Sequence, residues 1–106
     1  MEDQERRKLV QDIIEVIKTC YDPEIPVNIF ELGLIYDIHV DNERHALVKM
    51  TLTSPACPVA GTLPPEVEQK VKAVPGIEGA RVEVVWDPPW NIEMMSEAAK
   101  LELGLL

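Results

Sequence analysis

The sequence predicts an α+β fold, in which a small three-stranded mixed sheet has helices packed on it. Three segments alternate between apolar and polar residues, which is the period of a half-buried strand. Helical patterns occupy the stretches before, between and after them, so the order along the chain is α-β-β-α-β-α. The chain has 106 residues, which fits a single domain over residues 1–106.

The first half of the chain predicts a helix followed by a hairpin. Apolar residues recur at helical spacing over roughly residues 4–20. This helix should end before Pro23, because proline disfavours helical backbone in the residue that precedes it. Residues 36–40 and 46–52 then alternate in polarity, and the polar residues 41–44 lie between them. Two alternating runs joined by a short polar turn predict an antiparallel hairpin.

The second predicted helix contains two adjacent prolines. Its apolar stripe begins at Leu63 and ends at Val74. Pro64 and Pro65 are tolerated only in the first turn of a helix, so the regular helix is expected to begin near Leu63. Residues 58–62 would then form a separate turn that leads into it.

A third strand and a short terminal helix complete the predicted elements. Residues 82–86 alternate in polarity, with Trp86 expected in the core, and residues 96–103 have a helical pattern. The second helix connects the second strand to the third. These two strands are therefore expected to run parallel, with a right-handed connection.

Composition and charge exclude several classes of protein. The formal net charge of −9, with no cluster of Lys and Arg, argues against binding to nucleic acid and to anionic membranes. No apolar run approaches the ~20 residues of a membrane helix, and no secretory signal pattern is visible. Two cysteines do not form a CxxC pair or a disulfide framework. We therefore expect a cytoplasmic location.

Cys57 is the strongest candidate for chemistry. It stands between prolines, after a predicted strand and before a helical segment. Unpaired N–H groups at the start of a helix stabilise a thiolate, which is the form that attacks electrophiles and binds iron in clusters. The alternative is a buried cysteine that acts as a small hydrophobic residue. The residues alone leave both interpretations open.

Other polar residues near the first loop are weaker candidates. Cys20 falls at the end of the first helix, where a core position is expected. Asp22, Glu24 and Glu31 flank a proline-containing loop, and a rigidly held carboxylate there could orient a thiol or a metal ligand. An ordinary turn capped by Asp22 explains the same residues equally well.

Two histidines and one tryptophan remain to be placed. His39 lies on the polar face of a strand and His45 in a turn, so both are expected to face solvent. A cysteine-dependent hydrolase would need one of them as a base within hydrogen-bond reach of Cys57, and their settings disfavour it. Trp90 could cover a pocket or a surface that binds a partner.

Several segments resemble the iron–sulfur cluster assembly domain family. They are residues 21–29, 31–36, 50–58 and 85–90, and together with residues 95–104 they most resemble its SufT-like members. The resemblance is collinear and covers nearly the whole chain. PaaD-like members carry a further cysteine-rich C-terminal part, which is missing from this sequence, and that argues against a zinc-bearing role.

The resemblance implies a compact α+β fold and a role in iron–sulfur maturation without enzymatic turnover. It assigns Cys57 as the reactive thiol or cluster ligand, with Asp22, Glu24 and Thr53 shaping its pocket. A transient iron–sulfur cluster is the implied cofactor. The implied partners are iron–sulfur assembly proteins and client apoproteins, reached through a homodimer or a partner carrier. Two cysteines are too few for four-thiolate ligation within one chain.

An adaptor function is the alternative from another class. Similar domains occur fused to P-loop ATPases, so the chain could bind assembly ATPases or client proteins without touching metal. In that case Trp90 or the terminal helix would carry the function, and Cys57 would be dispensable.

Overall fold

The computed structural model describes residues 2–22, 25–53 and 57–104, with the side chains of the last range described from Thr62 onward. Within these residues the predicted order of elements is confirmed, with one added 3-10 turn. The elements are α1 (Asp3–Ile17), β1 (Ile35–Val40), β2 (His45–Met50), α2 (Cys57–Lys72), β3 (Gly79–Val84), the 3-10 turn (Ile92–Met94) and α3 (Glu97–Glu102).

The three strands form one mixed sheet in the order β1-β2-β3. β1 pairs with β2 antiparallel, as the hairpin pattern predicts. β2 and β3 run parallel, with Met50 opposite Val84, because α2 carries the chain back to the starting end of the sheet. The parallel pairing therefore confirms the predicted direction of β3.

The two faces of the sheet differ in polarity, and this difference follows from the alternation in the sequence. One face, here called the inner face, packs against the buried side of α1 and α2, whose core residues include Ile13, Ile17, Val67 and Val71. The strand residues of this core are Val40, Ala46, Val48 and Met50, and the partly buried strand residues packed against it are Ile35, Ile38, Ala80, Val82 and Val84. The other face, here called the outer face, carries charged and polar side chains.

The start of α2 corrects the prediction made from its prolines. The helix begins at Cys57 and runs through Pro64 and Pro65, rather than beginning near Leu63. A proline inside a helix removes one hydrogen bond and costs about 3 kcal/mol. Leu63 and Val67 are fully or almost fully buried. Burial of this apolar stripe against the sheet offsets the local cost of the prolines. The sequence pattern reports only that local cost.

The position of Trp86 is also different from the predicted one. Nearly half of its surface, 48%, is exposed, whereas a core position was expected. The alternation of the sequence continues to Trp86, but β3 ends at Val84. The last backbone hydrogen bond to the sheet is made by the N–H of Val85, which donates to the carbonyl of Met50. Beyond that point the chain leaves the sheet, so alternation no longer sets the direction of a side chain.

Residues 88–99, here called the C-terminal strap, fold back over the loop that precedes β1. The indole Nε1 of Trp90 donates to the carbonyl of Leu32 over 2.7 Å. The N–H of Ser96 donates to the carbonyl of Glu31 over 2.8 Å, and Ser96 is also the N-cap of α3. These bonds satisfy carbonyl groups that have no strand partner.

Gly33 lies where the strap and the loop come closest. Its φ is +83°, and a Cβ built there would stand 2.3 Å from the carbonyl oxygen of Met94. Only glycine fits both requirements. None of the helices in the described parts of the chain is long and apolar enough to cross a membrane.

Candidate functional site

Cys57 is the first residue of α2 and follows β2 by a short connection. The first turn of α2 holds no acidic residue, and Pro58 occupies a position where a missing N–H has little effect. The partial positive charge of a helix N-terminus favours an anion at this place. The backbone thus puts Cys57 at the start of a helix more directly than the sequence pattern predicted.

Asp22 and Thr53, two of the residues predicted to shape the site, are in contact. Asp22 is 3% exposed, and the hydroxyl of Thr53 donates to its Oδ2 over a long 3.4 Å. Four residue steps separate Thr53 from Cys57, so their Cα atoms lie at most about 14 Å apart. The structure therefore brings together two of the three residues predicted to shape the site. Glu24, the third, lies outside the described residues.

Cys20 occupies the core position that the sequence predicts. It is fully buried, and its Sγ lies beside Glu66 and Lys70 of α2. Burial raises the pKa of the Cys20 thiol, which makes it a poor nucleophile. Glu66 is nine residues beyond Cys57, or roughly 14 Å along the axis of α2. Cys20 is thus placed too far along the helix to pair with Cys57.

The two histidines are both exposed, as predicted. His45 begins β2, whereas Cys57 follows the opposite end of that strand, so the length of the strand, roughly 16 Å, separates them. His39 is opposite Leu47 in the register, also away from that end. The residues needed by the hydrolase hypothesis are not brought together.

Asp41, Glu43 and His45 form a group with the spacing of metal ligands in the turn between β1 and β2. Asp41 already has a structural role, because its Oδ1 accepts hydrogen bonds from the N–H groups of His45 and Glu43. These bonds, that of His45 first, lower the pKa of the Asp41 carboxyl. The group lies far from the start of α2, and its hydrogen bonds stabilise the turn between β1 and β2.

Trp90 is half-buried and uses its indole N–H within the chain, on Leu32. Its ring packs against the core. A stabilising role is therefore established for this side chain by its contacts. Its role in binding a partner stays a prediction.

Thr51 is a residue that the sequence pattern missed. It falls at a polar position of the alternating run, yet it is completely buried, and its N–H donates to the carbonyl of Leu34 over 2.8 Å. Among the described residues its hydroxyl has no hydrogen-bond partner. A threonine between two apolar strand residues, close to a candidate cysteine, was the available signal.

Replacing Thr51 by valine is expected to stabilise the protein. Valine has nearly the same shape, and removing a buried unpaired hydroxyl relieves a cost of roughly 1–2 kcal/mol. Urea unfolding of Thr51→Val should show a higher midpoint with an unchanged slope. The matched control is Thr53→Val, which loses the bond to Asp22 and should not be stabilised. A lower midpoint for Thr51→Val would mean that the hydroxyl has a partner.

Comparison with known proteins shows the class to which the protein belongs. Residues 10–84 match the model of the iron–sulfur cluster assembly protein family, and the chain belongs to that family.

Curated relatives match over most of their length. A protein of Porphyromonas gingivalis named as an Fe-S protein maturation auxiliary factor is 47% identical over 91% of each chain. The Fe-S protein maturation auxiliary factor SufT of Staphylococcus aureus is 42% identical, over 79% of this chain and 96% of that protein. A crystal structure of a domain of unknown function from Bacillus anthracis is 35% identical, with a TM-score of 0.90 over 99% of this chain and all of that one.

Proposed function

We propose that the protein is a maturation factor for iron–sulfur proteins, and that Cys57 is the thiol through which it contacts the cluster. The position of Cys57 at the start of α2 is the observation that carries this proposal. The family and the names of the relatives support the pathway, and the helix start supports the residue.

The chemistry follows from the ligand set. A thiolate is a soft ligand that suits iron in clusters, and a helix N-terminus favours the thiolate over the thiol. One chain offers a single thiol at this place, because Cys20 is buried beside Glu66. A cluster that is cargo would keep its remaining ligands on the donor or on the acceptor. Cys57 would then take the place of one of these ligands during transfer.

The buried Asp22 has a positioning role in this proposal. It accepts a hydrogen bond from Thr53, in the segment that leads from β2 toward α2. A carboxylate held in the core fixes the direction in which this segment leaves the sheet. It thereby fixes where α2 begins, without itself contacting the cluster.

Anaerobic reconstitution with iron and sulfide tests the proposal. With a small external thiol added to supply the remaining cluster ligands, wild type and Cys20→Ala should bind iron and acquire the visible absorbance of a cluster, and Cys57→Ser should lose most of both. Absorbance spectra and an assay of bound iron give the measurement. Equal loading of Cys57→Ser and wild type would exclude Cys57 as the ligand. No loading of any variant would favour an adaptor that binds assembly ATPases or clients without metal.

A further inference from the structure

β3 is an edge strand of the sheet, and one side of its backbone has no strand partner in the part of the chain that the structure describes. The N–H of Val85 donates to β2, so the odd-numbered residues of β3 face β2. The backbone groups of Ala80, Val82 and Val84 therefore point away from the sheet. Edges of this kind pair with another strand unless something covers them.

Glu68 covers the middle of this edge. Its Oε1 accepts a hydrogen bond from the N–H of Val82 over 3.0 Å. A groove with a volume of about 280 Å³ runs between α2 and β3, lined by Pro64, Pro65, Glu68, Val82 and Val84. The direction of the Val82 N–H shows that the edge can donate outward, and the groove offers apolar space beside it.

The outer face of the sheet carries charges that alternate in sign from strand to strand. Asp37 of β1 is opposite Lys49 of β2, and Lys49 is opposite Glu83 of β3. The row ends at Glu83, on the open edge. A strand that continues the pattern would place a basic residue opposite Glu83.

The same strand of a second copy meets this requirement. If two β3 strands pair antiparallel with Val82 opposite Val82, each residue that precedes Val82 faces the residue that follows Val82 by the same number of positions in the other copy. Arg81 of each copy then faces Glu83 of the other, and Ala80 faces Val84. Arg81 and Glu83 both lie on the outer face, and such pairs without mutual hydrogen bonds bring their side chains close together.

We propose that two copies of this chain associate through β3, in an antiparallel pairing centred on Val82 that joins the two sheets into one. Val82 of each copy exchanges hydrogen bonds with Val82 of the other, and the N–H leaves Glu68 to do so. The apolar side chains on the inner face extend the groove beside Pro64 and Pro65. The contact is small, so the dimer is a weak one that forms at high protein concentration.

This inference does not rest on the role of Cys57. Met50 is opposite Val84, so each Cys57 follows the Val84 end of its own sheet. In an antiparallel pair these ends point in opposite directions, and the two cysteines lie on opposite sides of the two-fold axis. The dimer would present two separate thiol sites rather than one shared site.

Charge reversal in two separate variants tests the pairing. In Arg81→Glu and in Glu83→Arg, each examined alone, both cross-strand pairs carry like charges, and the dissociation constant should rise about tenfold or more. An equimolar mixture of the two variants restores opposite charges in both pairs of the mixed dimer. Sedimentation equilibrium should therefore show tighter association in the mixture than in either variant alone. Arg7→Glu, an exposed site on α1, is the matched control and should behave as wild type.

Glu68→Ala provides an independent measurement. It removes both the competing acceptor and a negative charge near the two-fold axis, so dimerisation should tighten. Three results would overturn the proposal. They are a wild type that stays monomeric at millimolar concentration, a mixture no tighter than its components, and a Glu68→Ala variant that associates less than wild type.

Discussion

Cells in which Cys57→Ser is the only copy of this protein are expected to lose client maturation to the level of a deletion strain. The activity of an iron–sulfur enzyme and its bound iron measure this loss. The reason is that serine is a much poorer ligand for iron in clusters than a thiolate. Serine also keeps the number of heavy atoms of the side chain, so the substitution removes the thiol with little change in size.

Two controls separate the thiol from the fold. Cys20→Ala removes the other cysteine and should retain maturation, although its buried position makes some loss of stability expected. Urea unfolding of Cys57→Ser shows whether the variant is folded. A folded Cys57→Ser protein that still supports full client activity would contradict the proposed role and favour the adaptor.

Gly33→Ala is expected to cause the largest loss of stability, at least about 3 kcal/mol. A left-handed backbone costs a residue with a side chain roughly 1–2 kcal/mol. The added Cβ would also stand 2.3 Å from the carbonyl oxygen of Met94, which is backbone and can move away only if the strap shifts. For a domain of this size each kcal/mol lowers the melting temperature by roughly 4–8 °C, so thermal unfolding should show a large decrease.

Gly104→Ala is the matched control for this prediction. Gly104 also has a positive φ, +76°, but a Cβ there would meet nothing within 4 Å among the residues that the structure describes. It should therefore show only the left-handed cost, about 1–2 kcal/mol or less near the chain end. If the two variants lose the same stability, the close approach of Met94 to Gly33 is not what makes glycine necessary there.

Periodicity predicted most of the fold because most segments of the chain follow the apolar–polar pattern of a single helix or a single strand. β2 alternates over its whole length and β1 alternates from Asp37 onward, and α1 buries its residues at helical spacing. The predictions fail where the free energy of packing against the rest of the fold outweighs the local conformational preference. Pro64 and Pro65 sit inside a helix because Leu63 and its neighbours are buried, and propensity alone does not contain that term.

The candidate site was only partly predictable from the sequence. Cys57 could be found, because a strand, a cysteine and a helix follow one another along the chain. The contact between Asp22 and Thr53 joins residues 31 positions apart, and no local pattern reports such a distance. Thr51 obeys the alternation in sequence, yet it is buried, and its backbone pairs with Leu34, which lies outside the alternating run.

The C-terminal strap has a consequence for the order in which the protein folds. Leu32 lies 58 positions before Trp90, the residue that donates to its carbonyl. During synthesis the N-terminal segments appear first, so the loop before β1 exists before the segment that satisfies its carbonyl groups. Contacts of such long sequence separation slow folding, because the chain must close a large loop before they form. We therefore expect the hairpin and α1 to form early, and the strap to dock late, when the native state is completed.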